Sequence, residues 1–323
     1  MKKSVIVGVG GYLPEKVLTN FELEQMVDTS DAWITERTGI KTRHLAKEGE
    51  LTSDLAIKAA QTALKDANIS GEEIDLIILS TTTPDETFPA TAMKVQEALG
   101  AHRAFAFDVQ AACSGFMYAL SVADHFVRLG TVKKALVVGA ETLSRIVDWT
   151  DRNTCVLFGD GAGAVVLEAQ ETIGQSDEAG IKEIILHSDG RYRSILTATG
   201  GVSLTGTSGK IYMEGREVFR HAVTNLADVA TEVLSKSGAD TSDIDVLVPH
   251  QANLRIIEGT AKKLGLPLER VIVTLPEQGN TSSASIPLAL YQGVQTGRIK
   301  KGDLLLLESM GAGFTWAGAL VRF

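Results

Sequence analysis

The chain has 323 residues, 44% of them hydrophobic and 22% charged, which describes a globular protein with a full core and a length that suggests two domains or halves. A formal net charge of −9 argues against a general nucleic-acid or anionic-membrane surface, and no run approaches the roughly 18 apolar residues of a membrane span. Two cysteines cannot form a disulfide framework, so a reduced, cytoplasmic setting is expected.

The N-terminal run Val5–Val9 is short and is interrupted by Gly10-Gly11 and Pro14, so it reads as a first strand and not as a signal peptide. Gly8, Gly10 and Gly11 are followed by Leu13-Pro14, where a dinucleotide loop needs a helix N-terminus. Leu64–Ser80 reads as a helix end, a turn and a buried strand at Leu76–Leu79. The strand Ala104–Val109 then leads through Gln110-Ala111-Ala112-Cys113-Ser114-Gly115 into a helix carrying Phe116, Leu120, Ala123 and Val127 on one face. Ala135–Val138 is the next apolar strand. Gly159-Asp160-Gly161-Ala162-Gly163 precedes a strand at Ala164–Leu167, so this cluster reads as tight turns and close packing, not as a phosphate loop. Apolar strands at Val246–Val248 and Leu304–Leu307 follow in the second half. The six histidines, at 44, 102, 125, 187, 221 and 250, have no zinc-like spacing, and no metal is expected.

The chain repeats itself weakly. Leu64–Ser80 aligns with Leu234–His250 at a shift of 170 residues, which sets His250 opposite Ser80. Gly130–Lys134 aligns with Gly297–Lys301 at a shift of 167, which sets Asn280 opposite Cys113. Two pairs in the same order favour a duplicated α/β fold with continuous apolar strands covered by helices on both faces. The halves are drawn at 1–170, carrying Cys113, and 171–323, carrying His250 and Asn280.

A thiol at a helix N-terminus meets unpaired N–H groups and the positive end of the dipole, and both favour the thiolate nucleophile. The dipole contributes at most roughly 2 kcal/mol, against about 1.4 kcal/mol per pKa unit, so it can bring Cys113 close to neutrality and no further. A buried structural cysteine is the competing reading. A satisfied strand-end histidine competes for His250, and a turn residue after glycine for Asn280.

Several motifs together resemble the β-ketoacyl-acyl carrier protein synthase III family of condensing enzymes, over the whole chain. They are Ala111-Ala112-Cys113-Ser114-Gly115, Pro249-His250-Gln251-Ala252-Asn253, Gly279-Asn280-Thr281-Ser282, Phe158–Gly163, Gly313-Phe314-Thr315-Trp316, and Asp31-Ala32-Trp33-Ile34 with Glu36-Arg37-Thr38-Gly39-Ile40. Ala312 stands where the family usually has a glycine. The resemblance implies a thiolase-like fold, with duplicated αβ halves and mixed sheets in five αβαβα layers. It implies that acetyl-CoA acylates Cys113, that malonyl-acyl carrier protein then loses CO₂, and that its carbanion attacks the thioester to initiate fatty acid synthesis. His250 and Asn280 are then neutral donors to the enolate oxygen, and the backbone N–H groups of Cys113 and Gly311 form a second oxyanion hole.

Alternatives are a polyketide-type condensing enzyme, which shares Cys-His-Asn, and a non-catalytic scaffold, which would be expected to lack one of the three. Thiolases need a second cysteine near the C-terminal glycine loop, whereas Cys155 reads as core. By the same resemblance Thr29, Trp33, Arg37, Arg152 and Asn253 contact coenzyme A, with Trp33 and Arg152 sandwiching the adenine. Asn153, where relatives often have glycine, departs from that pattern. Phe88, Met213 and Gly215 line the acyl pocket and tunnel, with Phe88 supplied across a homodimer interface. Arg216, Arg220, Arg255 and Lys262 form a basic patch for acyl carrier protein. No cofactor is implied, coenzyme A being a substrate.

Overall fold

The computed structural model describes residues 2–174 and 178–323. Its strands, in chain order, are β1 (Lys2–Tyr12), β2 (Lys16–Thr19), β3 (Thr42–Leu45), β4 (Leu76–Ser80), β5 (Phe105–Val109), β6 (Lys134–Glu141), β7 (Gly161–Glu171), β8 (Gly180–Ser188), β9 (Leu196–Ala198), β10 (Ile211–Met213), β11 (Val246–Pro249), β12 (Leu304–Gly311) and β13 (Thr315–Arg322). The main sheets have the orders β1-β7-β6-β4-β5 and β8-β13-β12-β11. Both are mixed: β1, β7 and β6 pair antiparallel, as do β8, β13 and β12, while β4 and β5 in one sheet and β11 in the other join in parallel.

The pleat explains the layers, because successive side chains point to opposite faces. In β12, Leu305 and Leu307 join a core with the helices 115–128 and 285–295, which lie between the sheets. Leu304 and Leu306 face the other way, toward the helices 215–237 and 254–264. On the first sheet's outer face, Ile77, Leu79, Leu136 and Val138 pack with the helices 52–67 and 91–98. The result is the five-layer αβαβα arrangement. Among the described residues, no helix is long and apolar enough to cross a membrane.

Where a break is expected at Gly10-Gly11, β1 instead continues to Tyr12. A Cβ at Gly8 would stand 2.4 Å from the Ala63 carbonyl oxygen, and one at Gly10 would stand 2.2 Å from that of Ala59. These glycines therefore admit the helix 52–67 against the strand.

The duplication runs at one shift. β4 and β11 begin at 76 and 246, β6 and β12 at 134 and 304, and the central helices at 115 and 285, each pair 170 residues apart. A shift of 167 holds only at the helix ends, because the first central helix has 14 residues and the second has 11. A longer turn before β12 takes up the difference. Ser283, not Asn280, is therefore the counterpart of Cys113. Their turns, Ala112–Ser114 and Ser282–Ala284, each begin with a left-handed residue, Ala112 at φ 47° and Ser282 at φ 51°. His250 and Ser80 keep their expected equivalence at the ends of β11 and β4. The division drawn after residue 170 falls at the end of β7.

Candidate active site

β5 leads into the turn that holds Cys113, β11 ends just before His250, and the helical turn Leu275–Gln278 leads through Gly279 to Asn280. The three are 9%, 5% and 6% exposed, so the site is dry. β12 connects them. His250 donates its backbone N–H to the Glu308 carbonyl at 2.8 Å. Gly311, at the end of the same strand, is so close to the Cys113 turn that a Cβ there would lie 2.7 Å from Cys113 N and 2.9 Å from Ser114 N. The backbone amides expected to form an oxyanion hole thus belong to segments in contact, and only glycine at 311 permits it.

The turn Ser282–Ala284 packs on Ala112–Ser114, bringing Asn280 to the thiol's neighbourhood. Asn280 Oδ1 accepts the Ser282 N–H at 2.9 Å. The acceptor end of this amide is therefore committed within the turn, and its NH₂ is the end a ligand can use.

Burial pushes the Cys113 thiol up to about 12; the nearby Ser282 side chain opposes the rise and the Glu141 carboxylate adds to it. This overturns the expectation of a thiol near neutrality, since desolvation of the thiolate outweighs the dipole. Cys113 also precedes the helix, in a 3₁₀ turn, instead of standing in its first α-turn. Burial pulls His250 down to about 4, so its imidazole is neutral at pH 7. Both ring nitrogens are buried without a hydrogen-bond partner among the described residues. An imidazole with one N–H and one lone pair uncommitted can give a hydrogen bond to an oxyanion or take a proton.

Glu308 was not among the expected site residues. It is fully buried, neither carboxyl oxygen has a partner among the described residues, and burial raises it to about 8 from an ordinary 4.5. A carboxyl whose folded-state pKa is raised contributes fully below the unfolded value and loses that contribution as pH rises through the folded one. Glu308→Gln should therefore leave the Tm nearly unchanged at pH 5 and raise it at pH 9. Melting curves at the two pH values check this, and an equal shift at both would show the carboxyl to be paired.

The coenzyme A candidates form a partly closed cluster. The guanidinium carbons of Arg37 and Arg152 lie 4.9 Å and 4.8 Å from the centre of the Trp33 ring. Arg152 thus already lies against the Trp33 ring that the resemblance pairs it with, and it donates to the Asp28 carbonyl at 2.9 Å. Asn253 caps the helix 254–264 and donates to the Arg37 carbonyl at 3.0 Å, which is a structural task. The Thr29 hydroxyl is buried and without a partner among the described residues.

Met213 ends β10, and Gly215 begins the helix 215–237 beside its side chain. Arg216, Arg220, Arg255 and Lys262 are all exposed on two helices that pack together. Arg220 pairs with Glu217, and Arg255 donates to the Glu36 carbonyl, so part of that charge is already engaged. Phe88 is 84% exposed, and Cys155 is fully buried in the core.

Sequence reasoning also missed Glu141 and Ser282, which bear directly on the thiol. The signal was present for both glutamates: Glu141 and Glu308 each end an apolar strand run, where a carboxylate has no water to meet.

Two family models match the chain: 3-oxoacyl-[acyl-carrier-protein (ACP)] synthase III over residues 107–190, and the C-terminal model of the same enzyme over 234–323. Beta-ketoacyl-[acyl-carrier-protein] synthase III from Paramagnetospirillum magneticum is 61% identical over 320 residues, covering 99% of both chains. The crystal structure of 3-oxoacyl-[acyl-carrier-protein] synthase III from Aquifex aeolicus matches with a TM-score of 0.94 at 49% identity, covering 99% of this chain and 100% of that one. The priming beta-ketosynthase of the R1128 polyketide pathway matches with a TM-score of 0.92 at 36% identity, over 99% of this chain and 96% of that one.

Proposed function

The chain belongs to the β-ketoacyl-acyl carrier protein synthase III family, and on that premise we propose how its own residues carry the reaction. It is a condensing acyltransferase that initiates fatty acid synthesis, with an acyl-CoA and an acyl carrier protein thioester as substrates. In our reading acetyl-CoA transfers its acyl group to Cys113, and coenzyme A leaves before malonyl-acyl carrier protein binds. The oxygen of the tetrahedral intermediate is held by the backbone N–H groups of Cys113 and Gly311. The thiol proton passes to the neutral imidazole of His250 or directly to the leaving thiolate. Loss of CO₂ from the malonyl group then develops charge on its thioester oxygen, which the His250 N–H and the Asn280 NH₂ stabilise. The resulting carbanion attacks the acyl-Cys113 thioester.

The observation that carries this is a buried, uncommitted, neutral imidazole at the end of β11 together with a buried amide, beside the Cys113 turn, whose acceptor end is already bound. The polyketide alternative draws less support, since its priming ketosynthase is 36% identical against 61% for the fatty acid relative. The mixture of enzyme, acetyl-CoA and malonyl-acyl carrier protein should release one CO₂ and one coenzyme A per 3-ketoacyl product. Product without acylation of the enzyme would sink the ping-pong order.

The same reading holds the enzyme to be cytoplasmic, to need no resident cofactor, and to bind coenzyme A around Trp33, Arg37 and Arg152, with Thr29 and Asn253 nearby. The exposed cations Arg216, Arg220, Arg255 and Lys262 are assigned to the acidic carrier protein. A homodimer belongs to the same reading, and the exposed apolar side chains along one edge support it. β5 is an unpaired edge strand presenting Phe105, and Phe88 is almost wholly in water. A second copy pairing with β5 covers this edge, and Phe88 then limits the partner's primer. Phe88→Ala should raise kcat/KM for butyryl-CoA relative to acetyl-CoA by about tenfold, the worth of filling or vacating a small apolar pocket. A fully active monomer in sedimentation would refute the shared site.

A further inference from the structure

The duplication leaves a twin of the thiol site in the molecule, and one carboxylate fills it. At the shift of 170 residues Cys113 corresponds to Ser283, His250 to Ser80, and Gly311 to Glu141. In the working site the β12 backbone at Gly311 meets the Cys113 turn. In the twin, β6 meets the Ser282–Ala284 turn as closely, since a Cβ at Gly139 would lie 2.2 Å from the Ser283 carbonyl oxygen. Glu141 is fully buried there, and its carboxyl meets the hydroxyl of Ser283, the residue that corresponds to Cys113.

Six donors from the described residues surround it. Oε2 accepts from the Thr82 N–H at 3.0 Å, the Thr82 and Thr83 hydroxyls at 2.9 Å each, and the Thr81 hydroxyl at 3.3 Å. Oε1 accepts from the Ser282 hydroxyl at 3.1 Å and the Ser283 hydroxyl at 2.9 Å, the latter also within 3.0 Å of the Ser80 carbonyl. Burial raises this carboxyl above its ordinary value and the Thr82, Thr83 and Ser283 donors oppose the rise; a group bound on so many sides is a stiff anchor. The anchor is attached to the Asn280 turn: Ser282 donates its hydroxyl to Glu141 Oε1 and its backbone N–H to Asn280 Oδ1.

We propose that Glu141 is the positioning residue of the Asn280 turn, its carboxylate in the disused twin site fixing where the Asn280 NH₂ stands relative to Cys113. This rests on the assignment of Asn280 to the enolate. Residues that act through such contacts change a coupled step by about 2- to 30-fold, and the step affected here is decarboxylation.

The test compares half-reactions in Glu141→Gln, which keeps the shape and one acceptor oxygen. Labelled CO₂ release from malonyl-acyl carrier protein should fall about tenfold at unchanged KM, while the rate of Cys113 acetylation and the Tm stay close to wild type. In an Asn280→Ala background the same substitution should have no further effect on decarboxylation. Equal loss in both half-reactions, or a full tenfold loss on top of Asn280→Ala, would overturn the proposal. If Asn280→Ala alone left decarboxylation intact, the enolate assignment would fail first, and separately. Should Glu141→Gln not fold, Ser283→Ala removes one Oε1 donor and should show the same selective loss at about threefold; no loss there would overturn the proposal equally.

Discussion

Cys113→Ala should leave no acyl-enzyme at all, while malonyl-acyl carrier protein continues to lose CO₂. Condensation should fall by about six orders of magnitude, as when the nucleophile of a covalent mechanism is removed. The structure explains why nothing replaces the thiol. The other cysteine, Cys155, is wholly enclosed by core residues, and burial raises it to about 11. Cys113 itself rests as a thiol, since burial lifts it to about 12. In the proposed mechanism acylation therefore draws on two backbone N–H groups, which meet a negative charge only in the transition state, and on a neutral imidazole as proton acceptor. With His250 down to about 4, that acceptor is available throughout the neutral range. The acetylation rate of the wild type should hold from pH 7 down to about 5 and fall as the pH approaches 4. Intact mass after incubation with acetyl-CoA, beside labelled CO₂ from malonyl-acyl carrier protein, checks both halves. An acetyl group on Cys155 would overturn the assignment.

Much of this fold was legible because it depends on periodicity. The continuous apolar runs at Leu76–Leu79, Val246–Val248 and Leu304–Leu307 are buried strands, and the 170-residue shift relates the starts of β4, β6 and the first central helix to those of β11, β12 and the second. What misled was local. The motif at Gly130–Lys134 aligns with its partner at 167, because a helix in the second half is one turn shorter. That difference put Asn280 opposite Cys113, when the counterpart is Ser283. Gly10-Gly11 looked like a strand break because glycine punctuates chains more often than it admits a helix, and only the packed helix 52–67 decides between the two.

The electrostatics were less legible than the positions. A helix N-terminus is visible in a sequence, whereas the depth of a pocket is not. The thiol therefore looked activated, although its burial outweighs the dipole. Arg37, Arg152 and Asn253 were found by motif, but their present partners are each other's segments: Trp33 under both arginines, and the Arg37 carbonyl on Asn253. Glu141 and Glu308 show what a composition-blind motif search leaves out. Each follows an apolar strand run; the partners of Glu141 come from residues distant along the chain, and Glu308 has none among the described residues.

His250→Ala and Asn280→Ala should each cost decarboxylation about two to three orders of magnitude, the worth of one preorganised donor in a dry site. Both should still accept acetyl on Cys113, His250→Ala more slowly if its ring takes the thiol proton. The reason lies in where charge develops. In the proposed mechanism, charge during acylation develops on an oxygen held by the backbone N–H groups of Cys113 and Gly311, which neither substitution touches. During decarboxylation it develops on the malonyl thioester oxygen, for which the available donors are the unpartnered imidazole and the NH₂ of an amide bound at its other end. Because both donors serve one oxygen, the double substitution should cost less than the product of the two, as groups that act as a unit do. His250→Gln keeps an N–H donor and should recover part of the loss, whereas Asn280→Asp puts a carboxylate beside the forming anion and should be worse than alanine. Labelled CO₂ release and acyl-enzyme mass, measured for each variant in parallel, separate the roles. If His250→Ala abolished acetylation and left decarboxylation intact, His250 would be the base of Cys113 alone and the enolate would be held by other groups.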